Sequence, residues 1–256
     1  MDEGQLLQRI EEYWDADAEV YDAGTRSGAG RACGHAPVSA AERAAWAAVL
    51  TRHLPAPAAR VLDVGSGTGL VALTAARLGH EVTTLDLSAR MLAKLQASAA
   101  AGGLKVRTVK STATEPPDER FDVVTERHLL WTVPDPVAAL RAWRQVAPQG
   151  RLLLIGGLWG RADPCEAWRF RARGVVDRVL GRPSGHHAPY PDDVLAALPF
   201  GPGTQTPARV AELVEEAGWP QPRLERLRDV EWARLLAIPP PERALGVTPQ
   251  FVIAAG

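Results

Sequence analysis

A short apolar run that empties into three alternate glycines constrains this chain most: Val61-Leu62-Asp63-Val64-Gly65-Ser66-Gly67-Thr68-Gly69. The apolar residues up to Val64 suit a buried strand, and the apolar, alanine-rich stretch after Gly69 suits a helix. Glycines this close together let the backbone turn sharply and let a ligand approach the main chain. A strand, a glycine loop and a helix in that order belong in an open α/β sheet. Such sheets bind ligands outside the carboxyl ends of their strands, where the strand order reverses.

The rest of the 256 residues agrees with that placement. Strands are expected over 60–64, 81–87, 105–110, 121–126 and 151–156, with helices over 69–78, 89–101 and 137–147 between them. After 207 come a helix to 217 and two final strands, 223–232 and 250–254. This alternation predicts a Rossmann-like α/β fold, a central, mostly parallel seven-stranded sheet with helices on both faces. Ahead of it, Leu6, Ile10, Tyr13 and Trp14 fall at helical spacing. Ser39, with Glu42 three residues on, reads as a capping box opening a second helix that runs to about His53. Residues 158–204 hold aromatic, basic and histidine-rich pieces with many prolines, which suit an insertion over the carboxyl edge of the sheet. Four segments are therefore expected: a helical N-terminal piece (1–57), the sheet core (58–157), a lid or substrate-binding insertion (158–206) and a closing helix with two strands (207–256).

The loop spacing selects among nucleotide ligands. Dinucleotide sites show G-x-G-x-x-G with a diphosphate on the helix N-terminus. Here the spacing is G-x-G-x-G, and Asp63 just before it would repel a diphosphate but suit an ammonium group. A P-loop is excluded, since G-x-x-x-x-G-K-[ST] is absent. Asp63 can alternatively serve as a buried cap of the following helix. Asp86, at the end of the second strand, lies 21 residues past Gly65. That is the distance expected of a carboxylate that accepts hydrogen bonds from ribose hydroxyls.

The stretch 61–69 resembles the first motif of the class I S-adenosylmethionine-dependent methyltransferases. Phe121-Asp122-Val123-Val124 is similar to their fourth strand. The run from Arg127 to Pro136 is similar to the ubiquinone/menaquinone-methyltransferase-like (methyltransferase type 11) branch, and Pro148-Gln149-Gly150 to the turn before the fifth strand. The resemblance covers about residues 58–157. It implies S-adenosylmethionine as cofactor and S-adenosylhomocysteine as product. By resemblance, Gly65, Ser66, Gly67 and Gly69 wrap the methionine part and Asp63 holds its amino group. Asp86 takes the ribose, and Leu87 and Met91 flank the adenine, although Met91 also suits core packing. Relatives place an Asp where this chain has Thr112, so the adenine contact passes to Thr112 and Ala113. Arg127, Tyr13, Trp14 and Tyr21 are expected to border the cofactor. The three rings suit packing of the first helix on the sheet equally.

Methyl transfer from a sulfonium is an in-line displacement that needs alignment, exclusion of water and, for some acceptors, removal of a proton. His128, just past the fourth strand, is the first candidate for that proton. His187, beside His186 in the insertion, as well as Tyr190 and His35, are further candidates. Each also suits a structural or surface role. Trp131, Trp159, Trp168 and Phe170 suit an apolar, aromatic or heterocyclic acceptor.

Composition narrows the partners. The formal charge is −1, without the basic excess that phosphate neutralisation needs. Arg169, Arg171 and Arg173 read as a solvated helix face. No base-amine motif (Asn/Asp-Pro-Pro-Tyr/Phe) follows the fourth strand, and no apolar run approaches a membrane span. Cys33 and Cys165 match no metal spacing, and unpaired thiols suit a cytoplasmic setting. The expectation is an S-adenosylmethionine-dependent methyltransferase of a small molecule, methylating nitrogen or oxygen of a specialised metabolite, as monomer or homodimer. It binds no metal, nucleic acid or membrane. Alternatives are C-methylation of a quinone-like ring, a nucleic-acid or protein methyltransferase, and a binding module without turnover.

Overall fold

The computed structural model describes residues 1–22, 37, 39–157, 164–179, 190–200 and 206–256. His35, Cys33, Trp159, His186 and His187 lie outside these, as does the side chain of Phe170.

Seven strands form one sheet: β1 (Arg60–Val64), β2 (Glu81–Asp86), β3 (Val106–Lys110), β4 (Val123–Arg127), β5 (Arg151–Gly157), β6 (Arg223–Arg226) and β7 (Gln250–Ala255). Their spatial order is β3-β2-β1-β4-β5-β7-β6. The first five run parallel, and β7 is antiparallel to both its neighbours. The order reverses between β1 and β4, which pair in register from Val61 with Val123 to Val64 with Glu126.

Helices cover both faces because side chains alternate along each strand. Leu62, Val64, Val124, Leu152 and Leu154 point to one face and pack under α5 (Pro136–Val146) and α8 (Pro207–Glu216). Val61, Val123, Leu153 and Ile155 point to the other, under α2 (Ala40–His53), α3 (Leu70–Arg77) and α9 (Arg228–Ala237). The buried indoles on the first face find acceptors, as buried Trp usually does. Trp143 Nε1 donates to the Ala113 carbonyl at 2.7 Å, and Trp219 Nε1 to that of Leu140 at 2.9 Å. A smaller cluster joins α1 (Glu3–Asp17) through Leu6 and Ile10 to Tyr190 and to α7 (Asp192–Ala197) through Val194 and Leu198. Helices α4 (Ala89–Ala101), α6 (Pro164–Val179) and α10 (Pro240–Arg243) complete the described set.

Several sequence expectations change. The strand expected over 223–232 ends at Arg226, and α9 begins at Arg228. Leu227, Val230, Ala233 and Arg234 fall on one buried helical face, while Asp229 and Glu231 sit in the first turn, where carboxylates favour a helix N-terminus. Phe121 precedes β4, its N–H spent on the Val146 carbonyl. Ser39 caps α2 by accepting the Glu42 N–H at 3.0 Å, but the Glu42 side chain forms a buried pair with Arg234 Nε at 2.7 Å. The reciprocal box sits at α1 instead, between Asp2 and Gln5.

Candidate active site

The cleft opens at the reversal of strand order, above the carboxyl ends of β1, β2 and β4. It is walled by the glycine loop, the end of β2, residues 111–114, the segment 127–135 and one face of α1. A smaller polar recess, lined by Asp63, Ser66, Thr68 and Gly69, shares the walls Tyr21, Gly65 and Arg127 with it.

Gly65, Gly67 and Gly69 all have positive φ (63°, 51° and 96°). At Gly65 a second constraint applies: a Cβ there would lie 2.7 Å from Leu129 Cδ1. Gly69 opens α3 with no side-chain cap, and Asp63 takes over that task. Asp63 is 2% exposed. Its Oδ2 accepts the Ala72 N–H at 3.1 Å and its Oδ1 the Thr125 hydroxyl at 2.7 Å. Burial pushes its carboxyl up to about 7 against the pull of those two donors. The carboxyl therefore serves the helix start and meets the recess at its floor.

Asp86 stands at the end of β2 on the cleft wall. Its Oδ2 accepts the N–H of Gly67 and its Oδ1 that of Ser88, each at 2.8 Å. Burial pushes it up to about 6, with those two N–H groups opposing. Two oxygens so anchored keep their remaining lone pairs in one orientation. Leu87, Met91, Thr112 and Ala113 continue this wall. The Thr112 hydroxyl also bonds to Thr114 Oγ1 at 3.1 Å and Glu115 Oε2 at 3.2 Å.

The opposite wall is Arg127, His128 and Leu129. The Arg127 guanidinium lies 5.4 Å from the centre of the fully buried Trp46 ring, a cation–π distance. His128 has φ 59°. Its imidazole is held well below the ordinary histidine range, by burial first and then by the Arg127 and Arg234 charges. Among the described residues expected to do chemistry, His128 lines the cleft. Tyr190 lies instead in a ring cluster, 4.3 Å from Tyr13 and 5.2 Å from Trp131 between ring centres. Tyr13 belongs to that cluster too, while Trp14 and Tyr21 reach the cleft. Burial raises the Tyr21 hydroxyl above its ordinary range, and its oxygen would lie 3.7 Å from a Cβ on Gly67. Trp168 is 61% exposed on α6.

The sequence reading missed three groups. Asp15 of α1 accepts the Ser88 hydroxyl at 2.5 Å and the Arg90 N–H at 3.2 Å, docking α1 onto α4. Trp46 underlies Arg127, and Glu126 is a buried acid at the end of β4. Only Glu126 carried a local signal, an acid closing an apolar strand. No cluster of three metal-ligating side chains occurs among the described residues, and no described helix is long and apolar enough to cross a membrane.

The comparisons agree with this geometry. Residues 62–155 match the family described as a methyltransferase domain. The ubiquinone biosynthesis O-methyltransferase of Xanthomonas campestris pv. campestris is 34% identical over 148 residues, 56% of this chain and 61% of that protein, so the match spans less than two thirds of the relative. Two solved structures share the fold. The [4+2]-cyclase SpnF has a TM-score of 0.63 at 18% identity, over 96% of this chain and 94% of that one. Magnesium protoporphyrin IX methyltransferase from Synechocystis PCC 6803, with S-adenosylhomocysteine bound, has a TM-score of 0.58 at 14% identity over 98% of each. With the seven-stranded sheet, the glycine loop and the acid at the end of β2, the chain has the Rossmann-like fold of class I methyltransferases, and its residues 62–155 match a methyltransferase domain.

Proposed function

We propose that the protein transfers a methyl group from S-adenosylmethionine to an oxygen or nitrogen of a small, partly aromatic specialised metabolite. The observation that carries this reading is Asp86, a carboxyl anchored by Gly67 and Ser88 with lone pairs left to face a nucleoside. The cleft fits the cofactor in kind. Ser66 Oγ is buried without a hydrogen-bond partner among the described residues, in the recess where Asp63 and Arg127 offer both charges to an amino-acid tail. The ribose then belongs on Asp86, and the adenine between Leu87, Met91 and Ala113.

When bound, S-adenosylmethionine supplies a methyl on a sulfonium, a group activated for displacement without a metal. The protein orients and dries the reactants. Leu7, Ile10 and Trp14 of α1 roof the cleft. Of the segment read as a lid, α7 is tied to α1 by Arg9 and Asp193 at 2.8 Å. His128 takes a hydrogen bond from the acceptor's O–H or N–H, aiming the lone pair that forms the new bond. Since its imidazole resists protonation, it orients the acceptor without taking the proton, which leaves the acceptor's oxygen or nitrogen for water as the methyl bond forms. Oxygen is favoured by the relative named an O-methyltransferase.

The test is calorimetric titration with S-adenosylhomocysteine, followed by cofactor turnover over a panel of phenols and amines. Binding is expected in the parent and, within about threefold, in His128→Ala, whose turnover should fall by about a hundredfold. A folded parent that does not bind S-adenosylhomocysteine would overturn the reading.

A further inference from the structure

Glu126 takes no part in the scheme above, yet it is a buried acid directly beside the cleft. It is 4% exposed at the end of β4, one residue before Arg127 and two before His128. Its Oε2 accepts the backbone N–H of Leu129 at 2.8 Å, and the Leu130 N–H bonds to it as well. Between acceptor and donors lies His128, whose N–H still reaches the Ile155 carbonyl of β5 at 3.1 Å. The chain follows the ladder to that point and then turns away through a left-handed residue. A non-glycine side chain holds such a backbone only where its surroundings impose it.

The turn sets two walls of the cleft. The His128 imidazole faces the cavity beside Arg127. Leu129 occupies the space that a Cβ on Gly65 would need, so the turn and the glycine loop fit one against the other. Leu130, next in line, is buried in the core under β4. A carboxyl suits this clamp because its oxygen accepts the N–H groups that a buried turn would otherwise leave unpaired. The charges facing it are Asp63 and Arg127.

We propose that Glu126 is a positioning residue: its carboxyl clamps the turn at residues 128–130, which aims His128 into the cleft and seats Leu129 against the glycine loop. The functional part of this inference rests on the cleft being the cofactor and acceptor site.

The test uses the full chain with labelled histidines, reading the titration midpoint of the His128 imidazole by nuclear magnetic resonance and the affinity for S-adenosylhomocysteine by calorimetry. Glu126→Gln keeps an oxygen acceptor and is expected to leave both within about threefold of the parent. Glu126→Ala is expected to raise the His128 midpoint toward the ordinary histidine value and to weaken S-adenosylhomocysteine by about tenfold or more. A folded Glu126→Ala protein with an unmoved His128 midpoint and unchanged affinity overturns the proposal. If that variant does not fold, His128→Gly supplies the second arm, because glycine adopts the turn unaided. Recovery of folding in the double variant supports the clamp, and no recovery overturns it. A parent that binds no S-adenosylhomocysteine retires the cofactor reading alone, and a shifted His128 midpoint in Glu126→Ala then still supports the clamp.

Discussion

Asp86 and Gly67 meet at the mouth of the cleft, where Oδ2 of the acid accepts the glycine N–H at 2.8 Å. The end of β2 thereby holds the middle of the loop that follows β1. Removing the carboxyl would cost the proposed ribose partner and the loop's anchor together. Asp86→Ala is expected to weaken S-adenosylhomocysteine by about 10- to 100-fold, in line with the roughly 1.5–3 kcal/mol of a hydrogen bond to a charged group. Asp86→Asn should lose less. Calorimetry measures both, and an unchanged affinity in the alanine variant would count against the assigned ribose contact.

Gly65 and Gly103 offer a controlled comparison of sterics with backbone strain. Both have φ near 63°, but a Cβ at Gly103 meets nothing within 4 Å while at Gly65 it meets Leu129 at 2.7 Å. Gly103→Ala should cost about 1 kcal/mol, the left-handed penalty alone. Gly65→Ala should cost about 1–3 kcal/mol more, from overpacking, and should also weaken S-adenosylhomocysteine. Urea unfolding and calorimetry check the pair, and equal costs at both sites would refute the steric argument.

Stability should fall as pH rises from 7 to 9. Burial pushes Asp63 up to about 7 and Glu126 up to about 8, so the folded state keeps protons that the unfolded chain releases near pH 4. Their contribution is complete below that value and is lost as pH climbs through 7 and 8. The histidines shifted downward finish titrating below this window. Glu126→Gln, which has no proton to lose, should flatten the decline. A urea midpoint that holds or rises in the parent from pH 7 to 9 would be incompatible with these protonations.

The buried pair Glu42 and Arg234 joins α2 to α9 across 192 residues. Glu42→Leu alone takes the buried carboxylate from the Arg234 guanidinium and should cost about 3–5 kcal/mol. Glu42→Leu with Arg234→Met removes both charges and should recover most of that loss. Thermal melts of the three variants decide it, with no recovery in the double variant as the contrary result.

The parts of the site that were legible in the sequence are those that local chemistry writes. Alternate glycines after an apolar strand place the loop, and an acid at the next strand end places Asp86. The cap Ser39 announces its helix. What stayed hidden depends on residues far apart in the chain. Nothing local reveals that Thr125, 62 residues further on, shares Asp63 with the start of α3. Glu42 was read as half of a capping box, since its partner lies in α9. Tyr13 was expected to border the cofactor or pack the first helix, and Tyr190 to be a candidate for the proton, because local sequence does not tell whether a ring faces a cleft or another ring. The strand expected through Trp232 failed for a more avoidable reason: the acids Asp229 and Glu231 marked a helix start within the segment.

Ser88 carries a consequence for how this protein breathes. Its hydroxyl accepts the Met91 N–H at 3.1 Å, starting α4, and donates to Asp15 of α1. One oxygen thus serves two helices that lie 73 residues apart. Whatever pulls α1 off the sheet also weakens the first turn of α4, so amide protons in both segments should exchange with solvent as one unit. A ligand beneath α1 would slow that exchange in both places at once, including in α4 residues that it never touches.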